Sequence, residues 1–200
     1  MGEIIARWEW RTFGQDLGPA ERHLAALAAE RVQESEETYL LGTDDDANVK
    51  VRGALMDIKI LERVDENGLE QWRPVLKAPF PLDAASIARV CTSLGAPGLG
   101  STAPSPSLER LVGELRAAGA TVHVVDVAKR RSRCHIGGCV AEVAEVVANG
   151  TRTRTVAIED EDAARVMDAV RSVELDGFPN TSYPRGLREV LGLPHGGPRR

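Results

Sequence analysis

The sequence predicts an α+β fold: about eight mainly antiparallel strands closing into a β-barrel, a tunnel with flanking helices. Three observations carry that prediction. Strand-like segments of alternating apolar and charged residues recur along the chain. Hairpin signals such as Asn67-Gly68, Gly137-Gly138 and Asn149-Gly150 join them. Helical segments with one apolar side stand between the strand groups, and about eight strands is a number that closes into a filled barrel.

The elements follow in order. A first strand runs from Ile4 to Phe13, and a helix from Gly18 to Arg31 places Leu24, Leu27 and Ala28 on one face, with Pro19 near its start. Strands follow at Glu37–Leu41, Asn48–Arg52, Leu55–Val64 and Leu69–Val75, separated by Gly42 with Asp44–Asp46, by Gly53 and by Asp65–Gly68. A helix from Asp83 to Ser93 closes this half. Gly95 to Ser107 is rich in Gly, Pro and Ser and reads as a linker. A helix follows from Ser107, a plausible cap, to Ala118, with Gly119 as its stop. Strands at Thr121–Arg133, Cys139–Val147 and Thr151–Glu159 come next, then a helix from Asp160 to Val173 that begins in acids. A short helix at Arg185–Leu191 precedes a polar tail. One domain over 1–194 is expected, made of halves at about 1–94 and 107–194 with linker 95–106, and a disordered tail at 195–200.

Composition bounds the function. With 42% hydrophobic residues and only 4% aromatic, the core is filled mainly by aliphatic side chains. The net charge of -5 gives no global attraction for nucleic acid or anionic lipid, so an anion site must be a local basic cluster. Three cysteines, Cys91, Cys134 and Cys139, do not make a disulfide framework and point to a reducing compartment. The start MGEIIARWEW is no signal peptide, Ala6 spoils a myristoylation motif, and no run is long enough to span a bilayer. The expected location is the cytoplasm.

The alternation shows where charge sits. Trp8 and Trp10 share one strand face, while Arg7, Glu9 and Arg11 share the other. Val49 and Val51 oppose Lys50 and Arg52, and Ile58 and Ile60 oppose Asp57 and Lys59. Lys129, Arg131 and Arg133 share a face, and Val156 and Ile158 oppose Thr155, Ala157 and Glu159. Two arrangements produce this pattern. The charges face solvent on a half-wet sheet, or they face inward in a barrel whose apolar side lies under helices. Inward charges must pair or bind something. An excess of Lys and Arg predicts a polyanion, and carboxylates among them predict a divalent metal.

At these residues the chain resembles the CYTH superfamily, the triphosphate tunnel metalloenzymes. Four segments carry the resemblance in order: ARWEWRTF; NVKVRGALMDIKIL; VAKRRSRCHIGGCVAEVAEVVANGTRTRTVAIEDED; and NTSYPRGLREVLG. The resemblance implies an eight-stranded tunnel of two pseudo-repeated halves. It also implies a small phosphorylated anion as partner: inorganic triphosphate, thiamine triphosphate, a nucleotide such as ATP, or polyphosphate. The implied activity is metal-dependent triphosphatase, with adenylate cyclase as a lesser alternative and a non-catalytic triphosphate-binding module as another. Mg²⁺ or Mn²⁺ is the implied cofactor. Glu9 and Glu159 match catalytic positions, and Lys50, Arg52, Lys59, Lys129, Arg131 and Arg133 match substrate-binding ones; Arg7 and Arg11 are expected to bind substrate as well. Glu9, Glu159 and Glu142 or Glu145 match metal ligands, with strand register deciding between the last two. Arg7, Arg11 and Ala157 depart from the family pattern, where Glu, Lys and Glu are usual, so the basic half of the site is retained and the acidic half depleted.

Rival readings are weaker. Cys134-His135 with Cys139 lacks zinc-pair spacing and a second pair. His123 reads as a core or wall residue. Lys129–Arg133 resembles a nucleic-acid patch, but only alternate members share a face. Asp44–Asp46 lacks a calcium ligand ladder, and no Walker loop occurs. A homodimer is compatible with the sequence, which has no feature that specifies one.

Overall fold

Three two-residue turns set the antiparallel register. Gly53-Ala54, Gly137-Gly138 and Asn149-Gly150 all have φ between +44° and +88°, the conformation whose twist matches paired strands. They join strands β3 (Ala47–Arg52) to β4 (Leu55–Val64), β6 (His123–Ile136) to β7 (Cys139–Ala148), and β7 to β8 (Thr151–Asp160). In the computed structural model, which describes residues 5–27, 32–100 and 103–197, these strands combine with β1 (Arg7–Gly14), β2 (Val32–Leu41) and β5 (Glu70–Pro79). The order is β1-β5-β4-β3-β2-β6-β7-β8, antiparallel throughout and closed on itself. Closure removes the solvent-facing open sheet from consideration.

Closure is weakest between β1 and β5, where only three residue pairs are in register. There the chain ahead of the last helix completes the wall. Arg11 N donates to Asn180 Oδ1 at 2.8 Å, Thr181 N donates to the Arg11 carbonyl at 2.6 Å, and Asn180 Nδ2 donates to the Gly68 carbonyl at 2.9 Å.

Four helices cover the outside. α1 (Gly18–Ala26) and α4 (Ala163–Ser172) bury the two tryptophans: Trp8 and Trp10 pack with Leu17, Leu24, Val166 and Val170. α2 (Ala84–Leu94) and α3 (Leu108–Ala117) cover Val49, Met56 and Ile58. The N-caps are Asp83, Ser107 and Asp162, each accepting backbone N–H groups with its side chain. None of the described helices is long and apolar enough to cross a membrane.

The sequence boundaries shift by a few residues. β1 begins at Arg7, not Ile4, which lies outside the described residues. α1 ends at Ala26; Ala28 and the rest of 28–31 are likewise outside them. β2 starts five residues before the expected Glu37, because Val32–Glu36 pairs with Ala128–Ser132 on the long β6 strand. The polar stretch at 195–197 is tied down, with Gly196 N donating to Asp45 Oδ2 at 3.1 Å and Gly197 N to the Thr43 carbonyl at 3.0 Å.

The fifth helix does something different. α5 (Tyr183–Leu191) enters one end of the barrel and touches β1, β3, β7 and β8. Tyr183 and Leu187 pack against Tyr39, Val125, Val127, Ala144, Val146 and Ala148. Arg188 anchors it: Nε donates to Asp45 Oδ1 at 2.6 Å, Nη2 to the Gly42 carbonyl at 2.6 Å, and Nη1 to the Pro194 carbonyl at 2.9 Å. Arg185 pairs with buried Glu70.

Gly186 is where α5 passes closest to the wall. A Cβ there would stand 2.3 Å from the Phe13 ring. Glycine to alanine in an exposed helix stabilises by about 1 kcal/mol. Gly186→Ala is expected to reverse that sign and destabilise by about 1–3 kcal/mol, as overpacking does, in urea-melt midpoints. A stabilised variant would show that α5 does not sit inside the barrel.

Candidate functional site

Inward positions follow from strand parity. Glu9 and Arg11 of β1, Tyr39 of β2, Asn48, Lys50 and Arg52 of β3, and Asp57 and Lys59 of β4 line one cavity. Lys129, Arg131 and Arg133 of β6, Val140 and Glu142 of β7, and Ala157 and Glu159 of β8 complete its wall. Tyr183 of α5 forms the floor, stacked on Tyr39 with centroids 4.8 Å apart and meeting Phe13 edge-on at 5.2 Å. Arg11 and Lys129 lie over the Tyr183 ring at 4.9 and 5.1 Å. The space is about 140 Å³ and opens at the end where Arg7, Arg52 and Arg133 are 46%, 35% and 42% exposed.

Seven cationic side chains and four carboxylates line this space, in a chain of net charge -5. Glu142 is the hub. Lys129 Nζ stands 2.5 Å from Oε1 and Arg11 Nη1 4.0 Å from it; Arg133 Nε is 3.3 Å and Arg131 Nη1 3.4 Å from Oε2. Arg131 is held on its far side by Gln33 Oε1, at 3.0 and 3.2 Å. Burial pushes the Glu142 carboxyl up, but Lys129, Arg11 and Arg131 outweigh it and hold it well below the usual carboxylate range.

A second knot lies on β2. Glu37 accepts from Tyr39 Oη at 2.7 Å and Lys50 Nζ at 3.1 Å, with Arg52 Nη1 at 3.6 Å. Burial raises its pKa, yet Lys50 and Lys129 bring it down to about 2. Glu9 accepts from Arg11 Nε at 2.7 Å. Against its burial, Arg11 and Lys59 keep it ionised below the ordinary value. Burial lowers Lys129 to about 8 despite the support of Glu142, and it lowers Lys50 in the same direction. Among the described residues, the buried Asn48 Oδ1 at this wall has no hydrogen-bond partner.

The residues expected from sequence are largely brought together here. Arg7 stands at the mouth, 3.6 Å from Glu159. Register places Glu142 inward and Glu145 outward. Glu145 pairs with Arg130 at 3.8 Å, in a groove of about 800 Å³ outside the barrel that also includes Arg152 and Arg154. Glu37, Tyr39, Asn48 and Asp57 were not singled out as site residues. Parity with Lys50 and Lys59 was the available signal for Asn48 and Asp57. Glu37 and Tyr39 needed the β2–β3 register, Tyr39 against Lys50.

The expected divalent metal does not fit this donor set. Among the described residues no three of His, Cys, Asp and Glu converge in a way that holds a metal ion. Glu9, Glu142 and Glu159 each already carry a cation within 4.0 Å. Ala157, directly opposite both Glu142 and Arg11, adds no oxygen.

Removing the hub exposes its cost. Glu142→Gln leaves four buried or half-buried cations without their shared counter-ion, and is expected to destabilise the protein by about 3–5 kcal/mol. Acid should act in the same sense. The lowered folded-state pKa of Glu142 and Glu37 makes their contribution full above the unfolded value and lost as pH falls below it, for Glu37 down to about 2. Urea melts of both proteins from pH 7 to pH 3 check this: the difference between them must shrink toward the acid end.

No family model matches the chain, and no curated protein does. Solved structures do. A candidate adenylate cyclase from Bacillus halodurans is 12% identical with TM-score 0.48, covering 92% of this chain and 97% of that one. A candidate adenylyl cyclase from Hippeastrum, described with a dominant triphosphatase activity, is 12% identical with TM-score 0.49, over 92% and 95%. An inorganic triphosphatase is 9% identical with TM-score 0.34, over 84% and 81%. Independently of these likenesses, the closed eight-stranded antiparallel barrel with inward charges is the architecture that the resemblance to the CYTH superfamily implied.

Proposed function

We propose that the tunnel binds a small polyphosphate anion of the triphosphate type. The carrying observation is the excess of seven cations over four carboxylates at one cavity that α5 closes at its inner end. Arg131 and Arg133 would give planar, charge-assisted contacts to phosphate oxygens, and Lys50, Lys59 and Lys129 compact charges. Tyr183 Oη would donate to the same ligand, and Asn48 would meet it through its amide nitrogen, since its oxygen only accepts. At about 140 Å³ the cavity is below the roughly 300 Å³ of an ordinary ligand pocket. It suits phosphates, and any organic group would remain outside the mouth.

Hydrolysis is the second reading. Glu159 favours it: its side chain is 25% exposed at the mouth and, among the described residues, is paired with Arg7 at 3.6 Å, so it is the carboxylate best placed to orient a water. Glu9, opposite Glu159 across β1 and β8, is tied to Arg11 instead.

Calorimetry with tripolyphosphate, thiamine triphosphate and ATP tests binding, and phosphate release from each, with and without Mg²⁺ or Mn²⁺, tests turnover. The expected outcome is one-to-one binding that weakens steeply with salt. Arg131→Ala should weaken it at least about tenfold, the worth of one charge-assisted contact. Absence of binding by all three anions, or full affinity in Arg131→Ala, refutes the proposal.

Lys129 gives a pH signature. The protonated amine binds the anion, so affinity should decline as pH rises past about 8. Because its folded-state pKa is depressed, the ligand-free protein should gain stability over the same rise, toward the unfolded value. Lys129→Arg, which stays charged, should flatten the affinity profile; an unchanged profile would remove Lys129 from the site.

A further inference from the structure

Each of the four carboxylates lining the tunnel, and Glu37 buried behind its wall, already has a cation on it. Arg11 sits on Glu9 at 2.7 Å, Arg7 on Glu159 at 3.6 Å, and Lys50 on Glu37 at 3.1 Å. Arg52 reaches Asp57 at 3.8 Å, and Glu142 has four cations within 4.0 Å. A divalent ion needs several oxygens at about 2.1 Å. At Glu142 it would stand among four positive charges already within 4.0 Å of the carboxylate. Arg11, whose side chain is 9% exposed, cannot swing into water to make room, and its guanidinium cannot lose its proton.

A guanidinium differs from a metal in one useful respect. It has five N–H donors in a plane, so it keeps its carboxylate on one edge and offers another edge to a phosphate. Arg133 uses Nε on Glu142 and stands 42% exposed at the mouth; Arg7 is similarly placed beside Glu159. The carboxylates that a bridging ion would need are therefore already paired with side-chain cations.

We propose that the tunnel takes its polyphosphate ligand as the metal-free anion, so that Mg²⁺ competes with the protein for the ligand instead of assisting its binding. This rests on the polyphosphate reading above. A Mg²⁺-complexed triphosphate brings two compensating charges into a wall that already has surplus positive charge, and its phosphate oxygens are partly occupied. Complexed nucleotides and complexed tripolyphosphate are consequently poor ligands, and the free anion is the recognised species.

The test uses the full chain and sodium tripolyphosphate in metal-stripped buffer, then repeats the titration at a Mg²⁺ concentration that complexes most of the ligand. If only free anion binds, complexing about nine-tenths of it weakens the apparent affinity about tenfold. Unchanged or tighter binding with Mg²⁺ overturns the inference. Binding seen only with Mg²⁺ overturns it while leaving the polyphosphate reading intact; no binding in either buffer overturns both. A second measurement needs no phosphate. Electron paramagnetic resonance with Mn²⁺ alone should find no stoichiometric site. A one-to-one Mn²⁺ site that disappears in Glu142→Gln or Glu159→Gln would also overturn the inference.

Discussion

The Glu142 carboxylate holds the interior of this barrel together. Lys129, Arg131, Arg133 and Arg11 all reach it within 4.0 Å, from strands on opposite sides of β7. Two like charges about 4 Å apart repel by roughly 1 kcal/mol in water and several times that near a protein interior. Four of them around an empty cavity would not stay. One shared anion makes the cluster tolerable, and its two oxygens divide the work: Lys129 and Arg11 on one, Arg131 and Arg133 on the other. The cluster remains net positive, which lets a stable fold keep an appetite for a second anion.

That arrangement depends on a dry floor. Tyr183 and Tyr39 stack beneath the cations, and Leu187, Val125 and Val127 lie below them. With α5 packed into the inner end, the buried pairs of Lys129 with Glu142 and Lys50 with Glu37 work in a medium less polar than water. The floor in turn depends on the buried guanidinium of Arg188 at the far end, whose contacts to Asp45 and Gly42 fasten α5 to the β2–β3 turn and whose contact to the Pro194 carbonyl holds the chain after it. Gly42 fits there because it has no Cβ: one would stand 2.1 Å from the Leu94 carbonyl. Fold and site therefore share parts. The same helix that fills the core end of the barrel shapes the cavity at the other.

Much of this was legible in the chain. The strict alternation of Arg7, Glu9 and Arg11 with Trp8 and Trp10, repeated at Lys50, Lys59 and Lys129, fixes which side chains share a face, because a strand has a period of two. Left-handed turn residues at Gly137-Gly138 and Asn149-Gly150 fix which strands are neighbours, and so make Glu142 face Arg133. The choice between Glu142 and Glu145 was not legible from residue type. Both lie in an apolar strand, and only the pairing of β7 with β6 and β8 turns one in and the other out.

The sequence by itself determined the strand faces, the hairpins, the helices, and the surplus of cations on one face of the strands. These are local properties, set by period, turn chemistry and charge. Only the tertiary structure decided three further things: that the sheet closes, that α5 lies inside it, and that every wall carboxylate finds a cation. Each depends on side chains far apart in the chain, such as Arg11 with Thr155, Arg188 with Asp45, or Arg185 with Glu70. Charges that alternation merely places on one face become partners or rivals only when the barrel brings them to a common centre. Distance decides that, and distance is a property of the closed fold.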